Sequence, residues 1–308
     1  MEKVLVLLST YNGSKYIKEQ LDSIIKQSGV TPRLLVRDDG SSDKTLDILE
    51  LYRKSNPDLF EDVIHGQNVG STASFSELMR VAFETYGSQY EFFSFADQDD
   101  SWLEEKLNRA VLRLIYLEKS TPNMYCSDKI IVDSNLKRID GICPPKIELT
   151  KGRALARNVA TGCTMVFNKR ALELFVTHKT GFIKIHDHAI FLICSFLGNV
   201  IYDNEAFILY RQHGHNQLGG MDTFKERMRD RFKKKGKLNE HLLERTATAF
   251  KDTYLDLLSE EDIKLINVMS FYRTSFSNRM RLFFSKEISK ERFEENAFFK
   301  LKVLMGGV

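Results

Sequence analysis

Glu91-Phe-Phe-Ser-Phe-Ala-Asp-Gln-Asp-Asp100, followed by Ser101-Trp102, is the stretch on which the fold turns. An apolar, aromatic run ends abruptly in three carboxylates, Asp97, Asp99 and Asp100. The run predicts a buried strand, and open α/β sheets take their ligands at the C-terminal ends of such strands. Asp97 and Asp99 stand two apart, so on an extended segment they point to the same side. Like charges that close call for a positive partner. Hard carboxylate oxygens suit Mg²⁺ or Mn²⁺, and such ions in turn bind phosphates. A solvated acidic turn followed by a helix cap would use the same residues; the place behind a buried strand favours the ligand.

Upstream, the same punctuation recurs. Lys3–Ser9 is a continuous Val- and Leu-rich run, a predicted buried parallel strand, broken by Thr10-Tyr11-Asn12-Gly13. Ser14 can cap a helix over Lys15–Gln27, with Ile17, Leu21, Ile24 and Ile25 on one face. Arg33–Arg37 predicts a second strand, ending in Asp38-Asp39-Gly40-Ser41-Ser42-Asp43, and Ser42 or Asp43 caps the next helix. Val63–His65 predicts a third strand before Gln67-Asn68-Val69-Gly70 and a helix over about Ser74–Tyr86. Tyr90–Ala96 is then the fourth strand, with a helix over Leu103–Lys119. Four strand–helix alternations, each strand ending in polar residues, specify a doubly wound α/β sheet with a ligand edge.

After Pro122 the rhythm changes. Met124–Ser127, Lys129–Val132, Thr164–Phe167, Asn199–Tyr202 and Phe207–Tyr210 predict strands, and Cys143-Pro144-Pro145 to Lys151 a loop. Helices are expected from Lys169 and over Asp187–Leu197, the latter preceded by Lys184-Ile185-His186. From Thr223 onward the pattern is helical and basic, with seven Lys/Arg crowded into Arg227–Lys237.

The 308 residues provide for one large domain or one with an appendage. A hydrophobic content of 43% and a charged content of 28% are ordinary for a soluble globular chain, and 5 prolines argue against long linkers. A net charge of +3 implies no nucleic-acid partner, yet it is uneven. Residues from Met221 carry 19 Lys/Arg against 14 Asp/Glu, and those before it 26 against 28. Cys126, Cys143, Cys163 and Cys194 have no metal-finger spacing and read as reduced packing residues. The N-terminal run Val4–Leu8 is too short for a signal peptide or a membrane span. This predicts a cytoplasmic protein, with contact at the inner face of the cell membrane at most peripheral.

Neither a GxxxxGK[ST] loop nor a GxGxxG after the first strand occurs, so no glycine-rich backbone cradles phosphate. Phosphates would have to be neutralised by a metal at the Asp97/Asp99 cluster. Tyr11 can stack on a base, and a carboxylate of Asp38-Asp39 can accept its N–H. A half-buried aromatic and a turn with a helix cap would account for the same residues singly; both strand ends converge on one edge, which favours the nucleoside.

Leu7-Leu8-Ser9-Thr10-Tyr11-Asn12, Arg37 through Thr45, Asn68-Val69-Gly70 and Ala96-Asp97-Gln98-Asp99-Asp100 resemble, in order, the signatures of family 2 glycosyltransferases of GT-A fold. The resemblance spans roughly the first 220 residues and is closer to bacterial rhamnosyltransferase-like members that build surface polysaccharides. Ile185-His186-Asp187 and Tyr210-Arg211-Gln212-His213-Gly214 resemble that subgroup's later motifs. The resemblance implies a catalytic domain over 1–220 and a basic helical region over 221–308. It implies that Thr10, Tyr11 and Asp39 hold the base of a UDP- or dTDP-sugar, that Asp38 belongs to the same nucleotide-sugar site, and that Asp97 contacts the nucleoside side. Asp99 would ligate Mg²⁺ or Mn²⁺ across the diphosphate, with Asp100 a weaker candidate for either task. Asp187 matches the catalytic base of inverting members, and His213 a residue reaching back to the diphosphate or metal. Gly162 would let backbone approach the sugar or acceptor, which would be a glycan, a glycoprotein or a lipid-linked saccharide. His215 departs from the subgroup's usual residue.

Plainer roles compete for each site. His186 and His188 flank Asp187 with a spacing that suits no zinc pair, Asp187 could serve as an N-cap, and Gly162 could be a simple loop glycine. The basic C-terminal region suits either a homo-oligomer contact or an anionic membrane face, with Met280–Phe284 as an amphipathic segment. Two other functions use the same acids: an Asp-based phosphohydrolase, and a silent nucleotide-sugar-binding scaffold. The first is disfavoured because such enzymes carry Asp-x-Asp after the first strand, which here ends in Ser9-Thr10-Tyr11; the intact acids disfavour the second.

Overall fold

A computed structural model describes residues 1–139, 147–178, 185–212, 241–290 and 292–308. The segments holding His213, His215, Arg227–Lys237, Cys143 and Lys184 lie outside the described residues. The chain divides into two units. One takes in Met1–Val132, Ala160–Lys179 and Lys184–Arg211; the other takes in Asp133–Val159, Thr180–Ile183 and Gln212–Val308.

The first unit is built on one mixed sheet. Its strands are β1 (Lys3–Thr10), β2 (Thr31–Asp38), β3 (Phe60–His65), β4 (Phe92–Ala96), β5 (Ser101–Trp102), β6 (Asn123–Val132), β7 (Val166–Asn168) and β8 (Asn199–Arg211), in spatial order β3-β2-β1-β4-β7-β6-β8-β5. The pairs β1–β2, β2–β3 and β1–β4 are parallel. Such strands need both faces covered, which is why their residues are apolar almost without alternation. Val4, Val6 and Leu8 pack under α1 (Ile17–Ile25), α2 (Thr45–Ser55) and α4 (Lys106–Leu114). The opposite face lies under α3 (Ser71–Tyr86), α6 (Lys169–Thr177) and α7 (His186–Leu197).

Register decides where chemistry can sit. Thr10 pairs with Asp38, Asp38 with His65, and Leu8 with Ala96. The polar ends of β1, β2 and β4 therefore open on one edge of the sheet.

Four expectations are corrected. Met124–Ser127 and Lys129–Val132 are one strand, β6, and Asn199–Tyr202 and Phe207–Tyr210 are one strand, β8; the two pair in parallel along their length. An irregularity in that pairing produces the break seen in the sequence: Asn204 and Glu205 stand unpaired between Ser127↔Asp203 and Asp128↔Ala206. Thr164 belongs to a 3₁₀ turn over Gly162–Thr164, and the strand begins at Val166. Ser14 does not cap α1: its N–H donates to Asp43 Oδ2 at 3.0 Å, and Tyr16 holds the cap position without a side-chain bond.

The second unit is helical. The stretch expected as a loop ends at Thr150, whose hydroxyl caps α5 (Lys151–Ala156) by accepting Arg153 N–H at 3.2 Å. Beyond it come α8 (Leu242–Thr253), α9 (Glu260–Ser270), α10 (Phe276–Phe284) and α11 (Phe293–Leu304). Ser259 and Ser275 cap α9 and α10. Gly152 lies against the Glu287 backbone, closer than a side chain would allow, and Lys151 pairs with Asp262 at 2.7 Å. No helix among the described residues is long and apolar enough to cross a membrane.

Candidate active site

The ends of β1 and β2 are tied together by their own side chains. Asp38 is buried; its Oδ1 accepts Ser41 N–H at 2.8 Å and its Oδ2 accepts the hydroxyls of Thr10 at 3.0 Å and Ser41 at 2.5 Å. Asn12 takes the left-handed conformation with φ 48°, and its side chain accepts Ser42 N–H at 2.9 Å. Asp39 organises the next loop. Its carboxylate accepts Val69 and Gly70 N–H at 2.9 Å each, and Arg37 closes the arrangement at 2.5 Å. Gln98 holds Tyr11 from the side of β4, accepting its N–H at 2.8 Å and donating to its carbonyl at 3.0 Å. A Cβ on Gly13 would collide with Gln98, so this approach needs the glycine. Thr10, Tyr11, Asp38 and Asp39 thus meet at one edge, Tyr11 exposed and the two acids buried.

The loop after β4 brings the second set together. Asp97, Asp100 and the Cys163 sulfur have ligand atoms within 4.8 Å of one another. Burial, the Asp99 charge and the Asp187 charge push the Asp97 carboxyl up to about 7. Asp100 is pushed well above the carboxylate range by burial and by Asp97 and Asp99. Its Oδ1 accepts Arg211 N–H at 3.1 Å, while its buried Oδ2 takes no N–H or O–H donor among the described residues. The Cys163 thiol, itself raised by burial and by these acids, stays protonated beside them. A neutral thiol is no ligand for a hard ion.

Asp187 is the third corner. The cap of α7 is Ile185, so Asp187 is no N-cap; it lies in the first turn, where the helix dipole favours a negative charge. Its Oδ2 accepts Gly162 N–H at 3.0 Å and its Oδ1 accepts His188 N–H at 2.6 Å. A Cβ on Gly162 would stand 3.3 Å from Asp187 Cβ and 3.5 Å from its Oδ2. The glycine therefore lets the 3₁₀ turn press on the carboxylate. Burial raises Asp187 to about 6, against the lowering effect of its backbone bonds. His186 behaves as a core residue: it stacks on Phe75 at 4.1 Å, meets Phe95 edge-on at 4.8 Å, and burial lowers it to about 3.

Three side chains beside these acids had no role of their own in the sequence reading. Lys129 is a cation beside these acids. It donates to Thr161 Oγ1 at 2.7 Å, lies 4.3 Å from the Tyr210 ring centre, and acts on both Asp97 and Asp187. It sits where the β6–β8 register breaks, between the pairs of Asp128 and Ile130, and such irregularities re-aim side chains. A lysine inside an apolar strand was the available signal. Arg211 is wholly buried; its Nε donates to the Asp99 carbonyl at 2.7 Å, it pairs with Glu19 of α1, and it lies 4.4 Å from the Tyr16 ring centre. Cys163 was read only as packing. Beneath the loop, the buried Lys106 donates to Ser94 Oγ at 3.1 Å and lies 3.5 Å from the Trp102 ring centre.

A divalent cation suits these residues. The half-exposed Asp97 and Asp99 supply hard oxygens, the Asp100 oxygen without an N–H or O–H donor lies behind them, and the charges of Asp99 and Asp187 add to burial in raising Asp97.

The family model for glycosyl transferase family 2 matches residues 5–175. The dTDP-rhamnosyl transferase RfbG of Shigella flexneri is 28% identical over 225 residues, 71% of this chain and 75% of that protein. TarS of S. aureus in complex with UDP-GlcNAc superposes with a TM-score of 0.52 at 16% identity, covering 90% of this chain and 89% of that one. The mannosyltransferase PcManGT from Pyrobaculum calidifontis, in complex with GDP-Man and Mn²⁺, superposes with a TM-score of 0.55 at 15% identity, covering 98% and 84%. At such identities the two structures speak for the fold alone, and that fold is GT-A.

Proposed function

This chain belongs to glycosyl transferase family 2, and from that premise we propose that it is an inverting, metal-dependent transferase. The donor is a UDP- or dTDP-sugar and the acceptor a saccharide hydroxyl, in surface-polysaccharide or glycoprotein synthesis. The observation that carries the reading is the meeting of Asp97, Asp99 and Asp100 with Asp187 at one sheet edge, close enough for Asp187 to raise Asp97. The dTDP donor is supported by the name of RfbG, and the UDP donor and Mn²⁺ by the ligands of TarS and PcManGT. Neither a phosphohydrolase nor a silent scaffold fits this family with these acids in place.

In this reading Tyr11 stacks on the base, with Thr10, Asp38 and Asp39 shaping the pocket beside it. Asp97 and Asp99 hold Mg²⁺ or Mn²⁺, with Asp100 behind them. A bound divalent ion supplies charge that stabilises the departing nucleoside diphosphate. Asp187 takes the proton of the acceptor hydroxyl as its oxygen bonds to the anomeric carbon and the bond to the diphosphate breaks. With its acidity near 6, Asp187 is mostly ionised at neutral pH and can accept that proton. The N–H groups of Gly162 and His188 fix the direction of its oxygens. In this reading residues 1–220 hold every residue given a role, and 221–308 form a C-terminal appendage whose described helices run from Leu242 to Leu304.

The test is calorimetry of UDP and dTDP with and without Mn²⁺, on the natural chain and on Asp99→Ala. Affinity that rises with Mn²⁺ in the first and not in the second supports the assignment. Metal-dependent affinity unchanged in Asp99→Ala removes Asp99 from the metal site.

A further inference from the structure

The Asp187 carboxylate is held by two backbone N–H groups of different origin. That of His188 belongs to α7 itself, so it travels with Asp187 and fixes nothing relative to the sheet. That of Gly162 comes from the 3₁₀ turn and reaches Asp187 Oδ2 at 3.0 Å. The direction of this oxygen therefore depends on where the turn sits. At its exit the turn is fastened to β4: the buried Ser94 hydroxyl donates to the Met165 carbonyl at 2.8 Å, and Val166 pairs with Ser94. At its entry stands Thr161, which holds the cap position but makes no cap bond with its side chain. Its hydroxyl instead accepts Lys129 Nζ of β6 at 2.7 Å. Such a charge-assisted bond is of the stronger kind. The Tyr210 ring of the adjoining β8, 4.3 Å from Nζ, flanks the ammonium. The same turn carries Cys163, whose sulfur lies within 4.8 Å of ligand atoms of Asp97 and Asp100. One three-residue turn thus borders both the base and the metal-side acids.

We propose that Lys129 is a positioning residue for the transfer: from β6 it anchors Thr161, and through that residue the turn whose Gly162 N–H aims the Asp187 carboxylate. The proposal rests on the reading of Asp187 as the base. The role needs reach and a donor. A lysine has a long stem and three N–H donors, so Nζ can bond Thr161 while lying against the Tyr210 ring. Its charge helps as well: burial raises both Asp97 and Asp187, and Lys129 counters that by attraction. Were charge the whole of its role, a carboxylate would be its natural partner. Among the described residues, its hydrogen bond goes to a neutral hydroxyl. Loss of that bond frees the entry of the turn, and with it the Gly162 N–H. A misplacement of about 1 Å at a reacting group costs on the order of a hundredfold in rate, so the smaller shift of one loosened turn should cost about tenfold.

The experiment compares the natural full chain with Lys129→Met, Thr161→Val, their double variant, Thr161→Ser and Asp187→Asn. Hydrogen exchange of the Gly162 amide, followed by NMR without nucleotide or metal, reads the tie itself. Lys129→Met and Thr161→Val should each speed it about tenfold, the worth of one hydrogen bond. Thr161→Ser keeps the hydroxyl and should restore most of the protection. In nucleoside diphosphate release, Lys129→Met and Thr161→Val should each lower kcat about tenfold. The donor KM and the affinity for UDP and dTDP with Mn²⁺ should stay as in the natural chain. The double variant should be no worse than either single one, because both substitutions cut the same bond. Equal losses of affinity and kcat with a lower melting temperature would mean a merely structural tie and overturn the proposal. So would unchanged Gly162 exchange in Thr161→Val. Normal transfer in Thr161→Val beside a large loss in Lys129→Met would make the lysine act by charge, and overturns it too. Should Lys129→Met fail to fold, Thr161→Val and Thr161→Ser decide. Faster Gly162 exchange with normal transfer in Asp187→Asn would leave the tie standing and remove the base it serves, so failure of the base reading is told apart from failure of the tie.

Discussion

At the scale of single residues, the site is a balance between buried acids and few cations. Asp187 has its acidity near 6 because burial outweighs two backbone hydrogen bonds. Only its ionised form can take a proton, so transfer should fall about tenfold per pH unit below 6. A rate profile at saturating donor checks this; a flat profile between pH 5 and 7 speaks against Asp187 as base. Gly162 makes a second test. A methyl group there would press on Asp187 at 3.3 Å, so Gly162→Ala should shift the carboxylate by a few tenths of an ångström. Transfer should drop about tenfold with donor affinity unchanged, and equal losses in both would mean a wider disturbance.

At the scale of elements, the loop between β4 and β5 depends on one side chain from the end of β8. Arg211 ties the Asp99 carbonyl to Glu19 of α1. Arg211→Ala should cost about 2–4 kcal/mol of stability, below the full penalty for a broken buried pair because Glu19 is half solvated. Arg211→Lys keeps the charge but not the planar fork and should recover only part of it; urea denaturation of both measures the difference. This tie shows the limit of the sequence. The strands β1 to β4 and their polar ends were legible because each buried parallel strand is a local apolar run stopped by polar residues. Their convergence followed from topology alone. Lys129 and Arg211 were not legible as site residues, because a register break between β6 and β8 and a contact across the whole sheet leave no local pattern. The two-residue β5 and the short α5 were missed for the same reason: pairing with β8 and packing on the C-terminal helices create them.

At the scale of the molecule, the second unit reaches back into the chain. Buried Ala154, Leu155 and Ala156 of α5 belong with helices beyond residue 241, and Arg157 pairs with Glu295 at 3.1 Å. A chain ending at Gln212 should therefore leave α5 without partners, and limited trypsin digestion should cut at Arg153 and Arg157, sites resistant in the full chain. Resistance in the truncated protein would mean that α5 is held without those helices. Stability should also track the buried acids. Asp97 and Asp187 hold protons more tightly folded than unfolded, so their contribution is complete below about pH 4 and lost as pH rises through about 6 to 7. His186 works in the opposite sense as pH falls below 6.5, but it is one group against at least two. Without divalent ions the melting temperature should fall between pH 5 and 7.5, and Mn²⁺ should recover most of the loss at the higher pH. The most direct test of the central claim is Asp187→Asn, with donor affinity by calorimetry and transfer by nucleoside diphosphate release measured on the same protein. The account predicts unchanged affinity and transfer lower by about 10²–10⁴-fold; near-normal transfer with normal affinity would contradict it and turn attention to Asp100.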